Sequence, residues 1–447
     1  MSGALATDLY ELNMAVSYLR RSMTRTATFS LFVRKLPPSR GFLVAAGLEP
    51  ALAVLEDFHF APEDLDHLRG ELGFSAADAD ALAALRFTGD VWAIPEGRVV
   101  YAGEPLLEVT APLPEGQLVE TMLLNQMTFH TTIASKAARC RLAAGDRDVV
   151  DFSFRRTQGP EAADAVARDS AIAGFGATSN VAAARVYGLR AAGTMAHSYV
   201  EAFPSEADAF RAFAADFPHR TTFLVDTYDT LDGVRTAIEV IRELRLEPPL
   251  GIRLDSGDLR ALSGQARRIL DDAGLPHVRI FVSGGLDELD IDALVGSGAP
   301  VDAFGVGTRM GVSADAPYLD TAYKLAEYDG RPVMKLSEHK ISVPGAKQVH
   351  RGADGDLVSL RDEPPPPGSE PLLERVMEGG RRVTPAVPPA RAVADAHRRF
   401  QQDLPGVPDA ARDLRNPVPP EPQISARLQS LAAQARTAVL SGDRTSG

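Results

Sequence analysis

Apolar and polar positions follow two different periods along the first third of the chain. In residues 1–24 the apolar positions recur at helical spacing, which predicts a helix with Thr7 or Asp8 at its N-cap. Residues 26–35 are aromatic and β-branched, which predicts a strand. The same two patterns predict helices over 48–58, 76–85 and 117–141 and short strands within 87–110.

From residue 149 onward, strands alternate with amphipathic helices. The predicted strands cover 149–154, 221–226, 250–255, 278–285 and 301–307, and the predicted helices cover 231–244, 259–272 and 286–295. This alternation predicts parallel βαβ units, and the nearly continuous apolar strands indicate burial on both faces. A (β/α) barrel is the closure that we expect, although a doubly wound open sheet has the same local pattern.

The ends of these strands carry the side chains that suggest chemistry. Two successive strands end at Asp226 and Asp255, and the next two end in Gly-rich turns, SGG (283–285) and GT (307–308). Catalytic groups of parallel α/β proteins lie at the carboxyl ends of the strands. Glycine allows a ligand to approach the backbone closely, and N–H groups at helix starts favour anions. The sequence therefore predicts a phosphate site beside two carboxylates.

Composition narrows the class of protein. Of 447 residues, 45% are apolar and 24% are charged, which is typical of a folded globular chain. The net charge of −13 argues against a general nucleic-acid or anionic-membrane surface. We find no long apolar run that predicts a membrane span and no signal-peptide pattern at the N-terminus. Cys140 is the only cysteine, so internal disulfides are excluded and we expect a reducing, cytoplasmic location.

Lysine is rare in this chain, and it is clustered. Only six of the 47 basic residues are lysines, and four of the six lie between residues 324 and 347. The cluster indicates either a binding site for phosphate groups or a chance grouping on a solvated face. Beyond residue 362 the chain is rich in proline, which predicts a loop-rich extension that ends in a helix over 424–440.

Eight strings occur in an order and spacing that resemble one family. They are TDLYELNMA (7–15), FSLFVRKLP (29–37), DFSFRRTQGP (151–160), FGATSNVAAARVYG (175–188), GTMAHS (193–198), RLDSGD (253–258), SGGL (283–286) and FGVGT (304–308). Together they closely resemble nicotinate phosphoribosyltransferase, a type II phosphoribosyltransferase related to the nicotinamide and quinolinate enzymes. The resemblance covers residue 7 to about residue 380.

The resemblance implies an α/β fold with an irregular (β/α) barrel, an N-terminal α+β sandwich domain and a C-terminal extension. We expect the sandwich in residues 1–140, completed by residues from about 335–385, the catalytic barrel in 141–335 and a Pro-rich, partly helical extension in 386–447. The resemblance also implies a homodimer with shared active sites, in which the N-terminal segment of each chain reaches the site of its partner.

The implied reaction joins nicotinate to 5-phosphoribosyl 1-diphosphate and gives nicotinate mononucleotide and diphosphate, the first step of NAD salvage from nicotinate. ATP is the implied co-substrate, hydrolysed to ADP and phosphate through a phosphohistidine, which places the enzyme in the ligase class; Mg²⁺ is the implied cofactor. His197 is the implied phosphohistidine, because imidazole is a good nucleophile near neutral pH. Asp255 is implied to stabilise an oxocarbenium-like ribose and to be a magnesium ligand, mostly through water.

Further residues of these strings are implied to hold the substrates. Phe152 and Tyr10 would sandwich the pyridine ring, Tyr10 from the partner chain. Arg155 would pair with the nicotinate carboxylate, and Ser179 stands where nicotinamide-using relatives carry an aspartate that would repel that carboxylate. Arg253 is a further substrate contact. The residues implied to bind phosphate groups are Arg34, Ser283, Gly284, Gly285, Gly307, Thr308, Lys324 and Lys335.

Three alternatives stay open at this point. The first alternative, within the same family, is an enzyme that uses nicotinamide or quinolinate instead of nicotinate. A phosphate-binding barrel of another class, which binds flavin or a sugar phosphate, would share the Gly-rich turns but gives no reason for TDLY or GTMAHS. A non-catalytic relative that binds nucleotides is disfavoured, because Arg155, His197 and Asp255 are all intact.

Overall fold

The computed structural model describes residues 3–336 and 342–441. Lys340 of the lysine cluster lies outside the described residues. The chain divides into two compact units. Unit 1 consists of Met1–Thr132, Tyr318–Val387 and Arg398–Gly447, and unit 2 consists of Ile133–Pro317 and Pro388–His397. Within the described ranges, no helix combines the length and apolar character needed to cross a membrane.

Helices and strands are distributed along the whole described chain. In chain order the strands are β1 (Thr26–Val33), β2 (Leu43–Val44), β3 (Asp90–Ala93), β4 (Val99–Val100), β5 (Pro105–Pro112), β6 (Asp148–Asp151), β7 (Ala177–Thr178), β8 (Arg190–Ala191), β9 (Thr222–Leu224), β10 (Gly251–Leu254), β11 (Arg279–Val282), β12 (Ala303–Val306), β13 (Thr321–Tyr328), β14 (Arg331–Pro332), β15 (Lys347–Gly352), β16 (Gly355–Leu360), β17 (Glu370–Pro371), β18 (Glu374–Glu378), β19 (Arg381–Arg382) and β20 (Gln423–Ile424). The α-helices are α1 (Leu9–Arg20), α2 (Leu48–Glu56), α3 (Pro62–Gly70), α4 (Ala76–Ala83), α5 (Leu113–Leu118), α6 (Glu120–Ala144), α7 (Pro160–Ile172), α8 (Val181–Tyr187), α9 (His197–Glu201), α10 (Glu206–Asp216), α11 (Thr230–Leu244), α12 (Leu259–Asp272), α13 (Glu288–Gly296), α14 (Thr308–Gly311), α15 (Pro389–Asp403), α16 (Asp409–Arg412) and α17 (Ala426–Ser441). Short 3₁₀ turns cover Gly3–Leu5, Phe154–Arg156 and Leu404–Gly406.

Unit 1 is built on antiparallel sheet. Among its described residues, seven strands pair in the order β14-β13-β1-β5-β3-β18-β19, and a smaller sheet pairs β17-β15-β16-β20. The ring of Phe29 on β1 stacks on Tyr323 of β13 with centroids 4.9 Å apart. The buried carboxylate of Glu108 accepts hydrogen bonds from Ser30, Arg361 and the backbone N–H of Lys347. A buried charge of this kind is tolerated because several donors surround it.

Unit 2 is built on parallel sheet. Its described strands pair in the order β8-β7-β6-β12-β11-β10-β9, every pair parallel, and the sheet curls into a half-barrel. Strand residues such as Ile252 and Phe304 are fully buried, as their continuous apolar pattern predicts. Three aspartates begin the crossover helices: Asp229, Asp258 and Asp287 accept backbone N–H groups in the first turns of α11, α12 and α13. The predicted α/β fold with an irregular barrel is confirmed.

The unit boundaries differ from the predicted domain boundaries. Residues 318–335, predicted for the barrel, belong to unit 1 because β13 pairs with β1. The predicted separate extension 386–447 is divided between the units, and its strand β20 pairs in parallel with β16. Asp403 at the end of α15 accepts hydrogen bonds from Arg98 and Arg351, each at 2.9 Å. These contacts join residues distant in sequence, so proline content alone did not reveal them.

A buried histidine on β15 makes the stability of unit 1 depend on pH. His350 is 4% exposed, and among the described residues neither of its ring nitrogens has a hydrogen-bond partner. Burial lowers the pKa of His350, because the imidazolium form would lose its hydration. The unfolded chain therefore binds a proton more readily than the folded chain does, and stability falls as the pH drops below about 6.5.

We expect His350→Leu to remove this component of acid sensitivity. Between about pH 7.5 and pH 5.5 the wild-type free energy of unfolding should fall more than that of the variant, because only the wild type takes up this proton on unfolding. Urea titrations at the two pH values measure the difference, and the same substitution at the exposed His67 is the control. Equal pH dependence in the wild type and His350→Leu would contradict the assignment.

Candidate active site

Three neighbouring strand ends in unit 2 meet at Asp255. The side chain follows β10, and its Oδ1 accepts hydrogen bonds from Arg253 Nη2 at 2.6 Å and from the Ser283 hydroxyl after β11. Burial by itself would raise the pKa of Asp255, but the hydrogen bonds from Ser283 and Arg253 outweigh it and lower the pKa below its usual value. The group therefore carries its negative charge near neutral pH.

Asp226, at the end of the strand on the other side, fixes the backbone beneath Asp255. Its Oδ2 accepts the Asp255 N–H at 2.9 Å and the Ser256 hydroxyl at 2.6 Å. Its Oδ1 is buried and has no hydrogen-bond partner among the described residues. Asp226 is not among the residues predicted to bind or react; the signal for it in the sequence is a second carboxylate at the end of the adjacent strand.

His197 begins helix α9 and faces the same carboxylate. Its Nε2 lies 3.9 Å from Asp255 Oδ2, too long for a hydrogen bond but close enough for an ion pair when the ring is protonated. The Nδ1 atom lies 3.2 Å from the hydroxyl of Thr227, a residue with no predicted role. The imidazole side chain is 40% exposed, so an incoming phosphate group can reach it.

An aromatic wall lies next to these polar groups. The rings of Phe152 and Phe281 meet edge to face with centroids 5.5 Å apart, and the guanidinium carbon of Arg253 lies 5.5 Å from the Phe152 centroid. A Cβ on Gly305 would lie 2.8 Å from the Phe152 ring, so glycine lets that ring lie against β12. Phe152, Phe281 and Ser179 line one cavity of about 810 Å³ in unit 2.

The strand before Arg155 is shorter than predicted. β6 ends at Asp151 rather than at residue 154, so Phe152 follows the strand and Arg155 lies in the 3₁₀ turn Phe154–Arg156. The buried Asp151 carboxylate accepts Ser153 N–H at 2.8 Å and the Thr178 hydroxyl at 2.7 Å, which ends the strand and starts the turn. Arg155 is exposed, and its guanidinium has no hydrogen-bond or ion-pair partner among the described residues.

The Gly-rich turns have the backbone geometry that their composition predicts. Gly284 has φ +104° and Gly285 has φ +72°, both in the left-handed region that favours glycine. A Cβ on Gly284 would lie 2.0 Å from the Asp255 carbonyl oxygen, so this turn packs directly on the residue that follows β10. Gly307 precedes α14, whose first residue is Thr308.

The remaining predicted site residues lie in unit 1. Tyr10 is exposed on α1, and Arg34 Nη1 is 2.8 Å from Asp320 Oδ1. Lys324 Nζ donates to the Tyr323 carbonyl at 2.6 Å, whereas the Lys335 backbone N–H donates to Ser342. The structure thus brings His197, Asp255, the Phe152 ring and the Gly-rich turns together in unit 2. In contrast, Tyr10, Arg34, Lys324 and Lys335 lie in unit 1.

The lysine cluster is not a single binding surface. Lys347 is 4% exposed, and its Nζ lies 3.1 Å from Glu108 Oε1 and 2.7 Å from the Gly345 carbonyl oxygen. This lysine therefore neutralises the buried Glu108 carboxylate in the sandwich, a role that needs no ligand.

The fold and the site define a class of protein: a parallel α/β barrel with carboxylates, a histidine and Gly-rich turns at the carboxyl edge of its sheet. Family models described as the nicotinate phosphoribosyltransferase N-terminal domain and the nicotinate phosphoribosyltransferase family match residues 5–128 and 148–348. The chain belongs to the nicotinate phosphoribosyltransferase family, which confirms the resemblance found in the sequence.

Individual relatives agree with this assignment. A nicotinate phosphoribosyltransferase of Mycobacterium tuberculosis is 48% identical over 425 residues, covering 94% of this chain and 88% of that protein. One of Bacillus subtilis is 42% identical over 378 residues, covering 80% and 76%. The crystal structure of human nicotinic acid phosphoribosyltransferase is similar with a TM-score of 0.83 at 29% identity, and the match covers 96% of this chain and 99% of that chain.

We expect Gly284→Ala to reduce turnover more than an alanine substitution does at a positive-φ glycine with open space around it. The new Cβ would push the turn away from the Asp255 carbonyl, and displacing a catalytic group by about 1 Å can cost about 100-fold in rate. Gly298→Ala is the matched control, because Gly298 has φ +70° and open space around it. The control should lose about 1–2 kcal/mol of stability and keep its activity.

Thermal unfolding and turnover of the two variants are the measurements. Similar stability losses with activity retained in both variants would show that the contact between Gly284 and Asp255 does not position the site.

Proposed function

We propose that this protein is a nicotinate phosphoribosyltransferase, which transfers the phosphoribosyl group of 5-phosphoribosyl 1-diphosphate to nicotinate. The observation that carries the proposal is the hydrogen-bonded pair of Arg253 with Asp255 beside the Phe152 ring, in a chain of this family. A flat aromatic wall suits a pyridine ring, and an ionised carboxylate suits a developing cation.

The pyridine ring lies against Phe152, with its carboxylate directed to the cation of Arg155. Arg155 supports this role because it is exposed and its guanidinium is unpaired among the described residues. Ser179 lines the same cavity as Phe152 and brings no negative charge toward the carboxylate. Nicotinate is therefore preferred over nicotinamide, which offers no anion to Arg155.

Phosphoribosyl transfer replaces one bond at C1′ of the ribose by another. The bond from C1′ to the diphosphate oxygen breaks, the electron pair leaves with diphosphate, and the pyridine nitrogen bonds to C1′. The low pKa of Asp255 keeps its carboxylate ionised, so it stabilises the positive charge that develops on the ribose. The turns at Gly284 and Gly307 hold the 5′-phosphate through backbone N–H groups.

A magnesium ion bound to the diphosphate would neutralise the leaving group. Among residues 3–336 and 342–441, no group of three or more His, Cys, Asp or Glu side chains is arranged to hold a metal ion. The acidic residues at hand are Asp255 and the unpartnered buried oxygen of Asp226, so substrate oxygens and water would complete the coordination.

ATP phosphorylates His197 in this proposal. The ring is accessible, and a neutral ring with its proton on Nδ1 can donate to the Thr227 hydroxyl at 3.2 Å, which leaves the lone pair of Nε2 for nucleophilic attack. Nε2 would attack the γ-phosphorus, the bond to the ADP oxygen would break, and water would later release phosphate from the histidine.

We also propose a cytoplasmic location, supported by the single reduced, buried Cys140.

The active unit is a homodimer in this proposal, with Tyr10 and Arg34 of one chain completing the site of its partner. The support is the exposure of the Tyr10 ring, 49% of which faces solvent in the single chain. Mixtures of Tyr10→Ala and Asp255→Ala chains, each inactive alone, should regain activity as the chains exchange. Continued inactivity after demonstrated exchange would argue against shared sites.

The central test is an assay of mononucleotide formation from nicotinate or nicotinamide, with 5-phosphoribosyl 1-diphosphate, Mg²⁺ and ATP. We expect Ser179→Asp to reduce kcat/KM for nicotinate by about 100-fold or more, because like charges at a binding site cost several kcal/mol. Ser179→Asn, of similar size but uncharged, should lose far less. Equal losses in the two variants would attribute the effect to size rather than charge.

His197→Ala separates the two proposed chemical steps. It should abolish incorporation of acid-labile phosphate from radiolabelled ATP but leave slow, ATP-independent mononucleotide formation, because Asp255 and the ring pocket remain. His277→Ala, at an exposed position, is the control and should be labelled normally. Normal labelling of His197→Ala would exclude His197 as the nucleophile.

A further inference from the structure

A buried carboxyl group lies directly behind the exposed Tyr10. Glu11 is 0% exposed, whereas 49% of Tyr10 faces solvent. The Tyr10 hydroxyl donates a hydrogen bond to Glu11 Oε1 at 3.1 Å, so the exposed ring is held at its far end from within unit 1. The other carboxyl oxygen of Glu11 accepts a hydrogen bond from the Thr7 hydroxyl at the start of the same helix.

The same carboxyl group is linked to Asp8 through one hydroxyl of α6. Thr121 Oγ1 lies 2.9 Å from Glu11 Oε1 and 3.0 Å from Asp8 Oδ2. A threonine hydroxyl has a single proton, so it can donate to only one of these two oxygens. The second contact is a hydrogen bond only when a carboxyl group supplies the proton. The geometry therefore suits a network in which one of the two carboxyl groups, Glu11 or Asp8, is protonated.

The acidic groups around Glu11 favour the protonated form of its carboxyl group. Asp8 lies on its own segment, and Glu120 faces it from α6; both are acids. Lys324 of β13 lies 3.9 Å from Glu120, and the buried Tyr323 precedes it on that strand. Burial, with a smaller contribution from Glu120, outweighs the hydrogen bonds from Thr7, Thr121 and Tyr10, which favour the ionised form, and raises the pKa of Glu11 to about 7.

We propose that Glu11 is a positioning residue for the transfer reaction, which fixes the Tyr10 ring in the pose that meets the pyridine substrate. Glu11 does not touch the substrate; it acts through the Tyr10 hydroxyl and through Thr121. This inference rests on the proposed function, in which the Tyr10 ring packs on nicotinate.

A double-mutant cycle tests whether Glu11 acts through Tyr10. Tyr10→Phe keeps the ring and removes only the hydroxyl, and Glu11→Ala removes the acceptor. Each single variant should raise the KM for nicotinate, Glu11→Ala by about tenfold, because a buried hydrogen bond is lost. The double variant should bind nicotinate no more weakly than Glu11→Ala, since both changes break the same contact. Independent, multiplying effects on KM would overturn the proposal.

The pH dependence gives a readout that a merely structural role would not change. Between pH 6 and pH 8 the protonated fraction of a group with a pKa of about 7 falls from about nine-tenths to about one-tenth. Ionised Glu11 repels Asp8 and Glu120, so the wild-type KM for nicotinate should rise with pH. Glu11→Gln keeps the donor and acceptor without the charge, and its rise in KM should be at least about threefold smaller.

Glu115→Gln is the matched control for folding. Burial raises the pKa of Glu115 as well, but this carboxyl accepts its hydrogen bonds from Thr88 and does not contact Tyr10. It should keep the wild-type pH profile of KM, and circular dichroism should show that Glu11→Gln and Glu115→Gln are both folded. An unchanged profile in Glu11→Gln would overturn the proposal. A wild type without nicotinate activity would overturn the proposed function and this inference together.

Discussion

The hydrogen bonds around Asp255 are the interactions on which the candidate site depends. Its carboxylate accepts hydrogen bonds from Arg253 of β10 and from Ser283, which follows β11. Its backbone N–H donates to Asp226, which follows β9. These groups meet only because β9, β10 and β11 are adjacent and parallel. The site is therefore positioned by the same backbone pairing that holds the sheet, and the absence of a Cβ at Gly284 lets the last turn close on it.

Asp255 and Glu11 differ in their pKa values because their surroundings differ. Asp255 is half-buried, but a guanidinium and a hydroxyl donate to it, so its pKa is lowered. Glu11 is buried among two other acids with only neutral hydroxyl donors, so its pKa is raised to about 7. The two carboxyl groups thus differ because a cationic donor offsets burial at Asp255, whereas burial and a neighbouring acid prevail over the hydroxyl donors at Glu11.

Buried charges also explain part of the unusual use of lysine. Lys347 contacts Glu108 inside the sandwich, and Lys136 is fully buried between Glu288 and Asp315 in unit 2. Each is enclosed beside carboxylates, where losing the partner would leave an uncompensated charge. Two of the six lysines are therefore structural, and their position in the sequence reflects where the core needs a cation rather than where a ligand binds.

The sequence by itself determined the alternation of strands and helices in unit 2, the strand ends that carry Asp226 and Asp255, and the glycines of the Gly-rich turns, because these follow from local periodicity and backbone conformation. Tertiary structure decided the rest. The turn that carries Arg155 depends on buried Asp151 and Thr178, and the pairing of β13 with β1 assigns residues 318–335 to unit 1. The network around Glu11 joins α1 to α6, and only folding brings these distant residues together and excludes water, which sets the charge state of the carboxyl group.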